Sequence, residues 1–132
     1  MRFSTKSEYG LRAIINLAKH QKKQPYSLAK IAHEEKISLA YLERLFAKLK
    51  KAGLVISTKG VKGGYKLGKS LNQISVRDIL SVLEGSLAAY TCAGLKCSGS
   101  KKFGCQAQFV WHKLDQEINK TLESIKLSEL IK

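Results

Sequence analysis

Three cysteines, Cys92, Cys97 and Cys105, crowd into one short stretch, TCAGLKCSGSKKFGCQ, of a 132-residue chain that has no other cysteine. A thiolate is both a soft metal donor and a nucleophile, so the spacing C-x4-C-x7-C suits a cage around iron or zinc, or a redox-active thiol group. An odd count is a poor disulfide framework, and in a reducing compartment such a cluster more often binds metal or senses redox state. Three thiols are one short of a full cysteine set, so a fourth ligand is another residue type, comes from outside the chain, or is missing. The spacing alone leaves an iron-sulfur cluster, structural zinc and bare thiols open. Lys96, Lys101 and Lys102 surround the cysteines and favour the charged thiolate. No Ser-His-Asp, Cys-His or phosphate-cradling signature accompanies them, and His20, His33 and His112 are widely spread, so an enzyme is not expected.

The surroundings of this cluster point to a polyanion. Lys plus Arg number 24 against 10 Asp plus Glu, a formal net charge of +14, and such a surplus on a small body attracts nucleic acid. The opening MRFSTKSEYG lacks the apolar core of a secretory signal, and no run reaches the roughly eighteen apolar residues needed to span a bilayer. A cytoplasmic protein with no membrane partner is expected.

The elements that must position these groups can be read in order. Thr5 and Glu8 have capping-box spacing at the start of a helix whose inward stripe is Tyr9, Ala13, Ile14, Leu17 and Ala18. Pro25 breaks it. Ser27 suits the N-cap of a short helix with Leu28, Ile31 and Ala32 inward, and Ser38 that of a second with Leu42, Leu45, Phe46 and Leu49 inward, stopping at Gly53. Two short helices on a tight turn, the second ending in Lys48, Lys50 and Lys51, match a helix-turn-helix. LVISTKGVKGGYKLGK then reads as a two-stranded hairpin with a glycine-rich tip. From Arg44 to Arg77 the chain carries nine basic residues and no acidic one. Ser75 opens another helix with Val76, Ile79, Leu80 and Leu83 inward, ended by Gly85. Helical periodicity lapses until about Cys105, then resumes through Leu130 with Phe109, Val110, Leu114, Ile118, Leu122 and Ile125 on one stripe of about five turns. So long an apolar stripe on the end of a small domain calls for a partner, and a two-fold homodimer would set two reading heads against the half-sites of a palindrome.

The expected fold is therefore mostly α with a small β wing, a winged helix-turn-helix plus a long C-terminal dimerisation helix. The expected partner is a double-stranded DNA operator. Lys48, Lys50, Lys51, Lys62, Lys66 and Lys69 suit phosphates, which give affinity without sequence information. Base reading falls to the exposed start of the second helix of the pair: Ser38, Ala40, Tyr41, Glu43 and Arg44. Arg44 can donate to guanine; Glu43 accepts only from a cytosine amino group and is repelled by phosphate, so it either rejects sites or pairs along the helix with Lys50 or Arg44. The tip, Lys59, Gly60, Lys62, Gly63 and Gly64, suits the minor groove.

The stretches MRFSTKSEYGLRAIINLA, ISLAYLERLFAKLKKAGLV, STKGVKGGYKLGK, ISVRDILSVLEG and LESIKLSEL together resemble the Rrf-two-type family of bacterial winged-helix regulators, particularly its IscR-like and NsrR-like members. The resemblance spans almost the whole chain. It implies a homodimeric repressor or activator whose loop cysteines hold an iron-sulfur cluster, with the cluster state deciding which promoters are bound, and with iron-sulfur assembly or related iron and redox genes as targets. It divides the chain into a DNA-binding domain at 1–85 (helix-turn-helix about 28–51, wing about 54–67), a cluster loop at 86–104, and a dimerisation helix and tail at 105–132. Cys92, Cys97 and Cys105 match the ligand cysteines, and Glu43 matches an acid that rejects one class of site when no cluster is present. Lys59 stands where many relatives have arginine and lacks its planar fork.

The fourth ligand departs from the IscR pattern. Those members place a histidine three residues after the last cysteine, where this chain has Gln108. His112 lies two helical turns beyond Cys105, about ten ångström along the axis. Other relatives use a carboxylate from the first helix of the partner subunit, a position that Glu8 matches, although Glu8 can instead complete the Thr5 box or pair with Arg12. Carboxylate ligation implies a 4Fe-4S cluster sensing nitric oxide; the IscR pattern implies a 2Fe-2S cluster reporting assembly capacity. The alternatives outside the resemblance are a thiol or zinc redox regulator without a cluster, and a zinc-stabilised general nucleic-acid-binding protein.

Overall fold

A computed structural model describes residues 3–20, 25–85, 87 and 106–131. In chain order the elements are α1 (Thr5–Lys19), α2 (Leu28–Glu35), α3 (Leu39–Lys51), β1 (Val55–Thr58), β2 (Gly64–Leu67), α4 (Val76–Glu84), α5 (Gln106–Ser124) and α6 (Leu127–Leu130). The serine caps that start the short helices are in place: the side chains of Ser27, Ser38 and Ser75 accept from the amides of Lys30, Tyr41 and Asp78. Ser75 and Asp78 form a full capping box. Four orphan amides open every helix, and these hydroxyls satisfy one each.

One core unites the head. Ile14 and Leu17 of α1, Ile31 of α2, Leu42, Phe46 and Leu49 of α3, Val55 of β1, and Ile79 and Leu83 of α4 are all essentially inaccessible to water. Gly10 lets α1 lie close on α4, since a Cβ there would collide with the Leu83 side chain. The wing is antiparallel, pairing Val55 with Leu67 and Thr58 with Gly64. It has a third point of attachment that periodicity did not announce. Tyr26, just ahead of α2, exchanges two backbone hydrogen bonds with Tyr65, at 2.9 and 2.8 Å. Gly64 makes this possible, with φ of +152° and no room for a Cβ beside the Tyr26 carbonyl.

Two readings of the sequence are corrected. The first concerns the start of α1. Its N-cap is Ser4, whose side chain caps nothing within α1, and the Thr5–Glu8 box does not form. The carboxylate of Glu84, at the far end of α4, takes that place: its Oε1 accepts from Ser4 N at 2.7 Å, Ser4 Oγ at 2.5 Å and Ser7 Oγ at 2.8 Å. A carboxylate there also suits the positive end of the α1 dipole. A long-range cap of this kind is invisible to a local pattern.

The second correction concerns the C-terminus, where the expected unbroken helix ends at Ser124. Ile125 and Lys126 are extended and pair with the head: Val76 N donates to Ile125 O at 2.8 Å and Leu127 N to Ile74 O at 3.0 Å. Leu127, the first residue of α6, is fully buried in the core of the head. The chain end is thereby stitched to the domain from which α5 departs.

Two outcomes follow from this packing. Leu127→Ala leaves a cavity in the shared core and lowers stability by about 2–5 kcal/mol, read as a fall in the urea midpoint. Burial pushes the Glu84 carboxyl up, but the Ser4 and Ser7 donors and nearby Lys6 outweigh it and hold its pKa below the ordinary 4.5. A depressed folded value stabilises above the unfolded value and is lost as pH falls through the folded one. Glu84→Gln should therefore flatten the loss of stability below pH 4.5, measured by thermal melts across that range.

Candidate nucleic-acid interface and cysteine segment

Burial of Leu42, Leu45, Phe46 and Leu49 dictates what α3 shows to solvent. Ala40, Glu43, Arg44, Lys48 and Lys51, at three-to-four spacing, share the opposite face and are all exposed, as is Lys50. None of these charged side chains is in an ion pair; Arg12–Glu35 is the one such pair among the described residues. Glu43 thus pairs with neither Arg44 nor Lys50. Ser38 is exposed, and while its oxygen accepts from Tyr41 N at 3.3 Å its hydroxyl hydrogen remains available. Tyr41 stands apart from the others. It is half-buried, its ring meets Tyr9 edge-on with centroids 5.9 Å apart, and its hydroxyl lies 3.2 Å from Thr5 Oγ1.

Beside this face stands the wing. Lys59, Gly60, Lys62 and Lys66 are exposed, with Gly63 and Gly64 half-buried at the base of the turn. Gly63 N donates to Gly60 O at 2.9 Å and closes the tip. Phe46 anchors the hairpin to α3 by meeting Tyr65 edge-on at 5.1 Å. Lys69 is exposed just beyond β2. Arg77, last of the single-signed run, is turned to a structural task, donating from Nε to Asn119 Oδ1 of α5 at 2.7 Å.

Two apolar residues on this side escaped the sequence reading. Val61 at the tip is fully exposed between Lys59 and Lys62, and Leu39 at the first position of α3 is 39% exposed. The available signal was position: Leu39 lies off the buried stripe, and Val61 lies between glycines where no core can reach. Side chains of this kind suit thymine methyl groups or a groove wall.

Cys92, Cys97 and Cys105 lie outside the described residues. Among the described residues no three His, Cys, Asp or Glu side chains are grouped as a metal site. The three candidates for a fourth ligand are all placed. Gln108 and His112 are neighbours on α5, with Nε2 atoms 3.1 Å apart. Glu8 is exposed on α1, and neither of its expected local roles is realised. The Thr5 box is absent, and Arg12 instead holds Glu35, Nε to Oε1 at 3.3 Å, and its backbone carbonyl.

No residue of α5 is fully buried, and Ile118, Asn119 and Leu122 are half-buried. Phe109, Val110 and Leu114 are 72%, 54% and 38% exposed, continuing an apolar row toward Ile118 and Leu122. No described helix is long and apolar enough to cross a membrane.

A helix pair with a mainly basic exposed face, a paired basic wing and a long C-terminal helix define a winged-helix regulator of the DNA-binding kind. The comparisons make the assignment particular. The profile of the Rrf2 family, described as iron-dependent transcriptional regulators, matches residues 3–132, and the chain belongs to that family. It is similar to the HTH-type transcriptional regulator IscR of Pectobacterium carotovorum subsp. carotovorum (strain PC1), 39% identical over 99% of this chain and 79% of that one. The IscR of Photobacterium profundum is 38% identical over the whole chain and 76% of its own. Among solved structures, CymR, the global cysteine regulator of B. subtilis, superposes with a TM-score of 0.84 at 34% identity, covering 99% of this chain and 96% of CymR. T. potens IscR superposes at 0.80 with 39% identity, covering 99% and 86%.

The electrostatic face generates a prediction of its own. Operator affinity should fall linearly on a log-log plot against salt, with a slope of about −0.9 per phosphate neutralised. Lys48→Ala should reduce that slope by about 1 per protomer for every sequence alike, whereas Arg44→Ala should cost about 1–3 kcal/mol on the cognate operator only. Fluorescence anisotropy on cognate and scrambled duplexes separates the two.

Proposed function

We propose that the chain is an iron-sulfur-dependent transcription regulator that acts as a homodimer on a palindromic operator. The observation that carries the reading is the position of the three cysteines in sequence. They fall between α4, which closes the DNA-reading head, and α5, on which Phe109, Val110 and Leu114 are exposed. A ligand held there acts at the joint between reader and dimer helix. On this reading residues 1–85 are the reader, 86–104 the sensor, and 105–132 the dimerisation helix and tail.

The donor set suits such a group. Three thiolates are soft ligands for iron, and α1 presents in Glu8 a carboxylate that makes no hydrogen bond or ion pair with any other described residue. Cys92, Cys97 and Cys105 are the proposed ligands, with Glu8 of the second protomer completing the set. Gln108 and His112 already satisfy one another, which makes them the weaker candidates. When bound, a cluster supplies a charged centre whose presence depends on iron and oxidants. The rest is the chain's own work: the lysines bind phosphate, Arg44 and Ser38 address base edges, and Glu43 penalises sites that offer it no donor. The resemblance to IscR-like regulators suits control of genes for iron-sulfur cluster assembly or related iron and redox genes.

A second reading keeps the operator and removes the cluster. The chain also superposes on the oxidized form of Staphylococcus aureus CymR, with a TM-score of 0.79 and 34% identity over the whole chain. Low-pKa thiols beside lysines can sense oxidants directly.

One preparation separates the readings. Anaerobically purified protein should be coloured, carry iron and sulfide in stoichiometric amounts, and lose both in the Cys97→Ala variant. Glu8→Ala should change the visible spectrum while leaving far-UV circular dichroism intact. Colourless protein that resists reconstitution overturns the cluster; if its operator affinity still responds to peroxide, the thiol reading stands.

A further inference from the structure

The start of the recognition helix is tied, through the first turn of α1, to the end of the helix from which the cysteine segment departs. Glu84 is the last residue of α4, and residue 86 begins that segment. Its Oε1 takes all three donors that α1 offers there: Ser4 N, Ser4 Oγ and Ser7 Oγ, at 2.7, 2.5 and 2.8 Å. Ser7 is only 2% exposed, so this contact is shielded from competing water. Hydrogen bonds to a carboxylate are about twice as strong as neutral ones. Between the two serines stands Thr5, whose hydroxyl meets the Tyr41 hydroxyl at 3.2 Å, while Tyr9, one turn on, packs edge-on against the same ring. Tyr41 is the third residue of α3, and its amide receives the Ser38 cap at 3.3 Å. Ser38, Ala40, Glu43 and Arg44 stand around it on the base-facing end.

We propose that Glu84, Ser4, Ser7 and Thr5 are positioning residues that act through Tyr41 to set the base-reading end of α3, and that they link it to the cysteine segment. The second half of this proposal rests on the reading of that segment as a sensor. The linkage needs no contact between any of these residues and DNA. It works because one carboxylate holds a whole helical turn by three bonds, so movement of the end of α4 carries Ser4, Thr5 and Ser7 with it. A purely adhesive role would instead hold α1 to α4 and leave base selection alone.

The test is a double-mutant cycle on metal-free, full-length protein. Glu84→Gln and Thr5→Val should each weaken binding to the cognate operator by roughly three- to tenfold while leaving the salt slope and the affinity for scrambled duplex unchanged. Because both act through Tyr41, the double variant should be no weaker than the worse single variant. Additive losses, or equal losses on scrambled duplex, overturn the proposal. Should Glu84→Gln fail to fold, Ser7→Ala with Tyr41→Phe, which removes only one hydroxyl, closes the same cycle. A second arm compares protein with and without reconstituted iron. If wild-type affinity responds to iron and Thr5→Val responds by the same factor, the link to the segment is overturned. If wild-type affinity does not respond, the sensor reading fails and the link with it, while the cycle still decides the positioning role.

Discussion

What the second helix of the pair presents to solvent depends on the burial of one stripe of α3. Leu42, Leu45, Phe46 and Leu49 are inserted between α1, α2 and the wing, and a helix with one face locked in a core has no freedom over what its other face presents. Ser38, Ala40, Glu43, Arg44 and Lys48 are therefore displayed together by a packing constraint. The wing obeys the same constraint, since Phe46 on that stripe also holds Tyr65 of β2. The Phe46–Tyr65 contact joins the supports of helix and hairpin, together with Val55 in the shared core and the Tyr26–Tyr65 backbone pair.

Electrostatics and packing are divided cleanly over the molecule. The basic residues from Arg44 to Lys69 have no acidic partner among the described residues, so their field is left for a polyanion. Several acidic side chains hold elements together: Glu34 and Glu35 of α2 accept from Asn16 and Arg12 of α1, and Glu84 accepts from Ser4 and Ser7. Two arginines also serve structure: Arg12 holds α1 to Glu35 of α2, and Arg77 bridges the head to Asn119 on α5.

Membership of the Rrf2 family was legible from five short stretches because each couples a backbone requirement to a side-chain one. GGY in the wing is an example: Gly64 must approach the Tyr26 backbone, and Tyr65 must reach Phe46. The serine caps were legible for a similar reason, being local, with donor and acceptor three residues apart. The cap of α1 was not, because its acceptor lies 80 positions away on Glu84. Periodicity also carried α5 too far. Ile125, three residues after Leu122, keeps the helical stripe, yet backbone bonds to Val76 and Ile74 and the burial of Leu127 favour an extended pair and a separate turn.

By itself the sequence determined the first four helices and the wing, which of their faces are apolar, the net charge, and the gathering of three thiols between a capped helix and a longer amphipathic one. These follow from spacing over a few residues, where propensity, capping and periodicity act. Only the tertiary structure decided that Tyr41 is held by Thr5 and Tyr9, that Glu8 is left without a partner among the described residues while Arg12 turns to Glu35, and that Glu84 fastens the end of α4 to the start of α1. Each of those contacts joins residues far apart in the chain. Their energies depend on distances that no local pattern records, and they exist only once the core has brought the helices together.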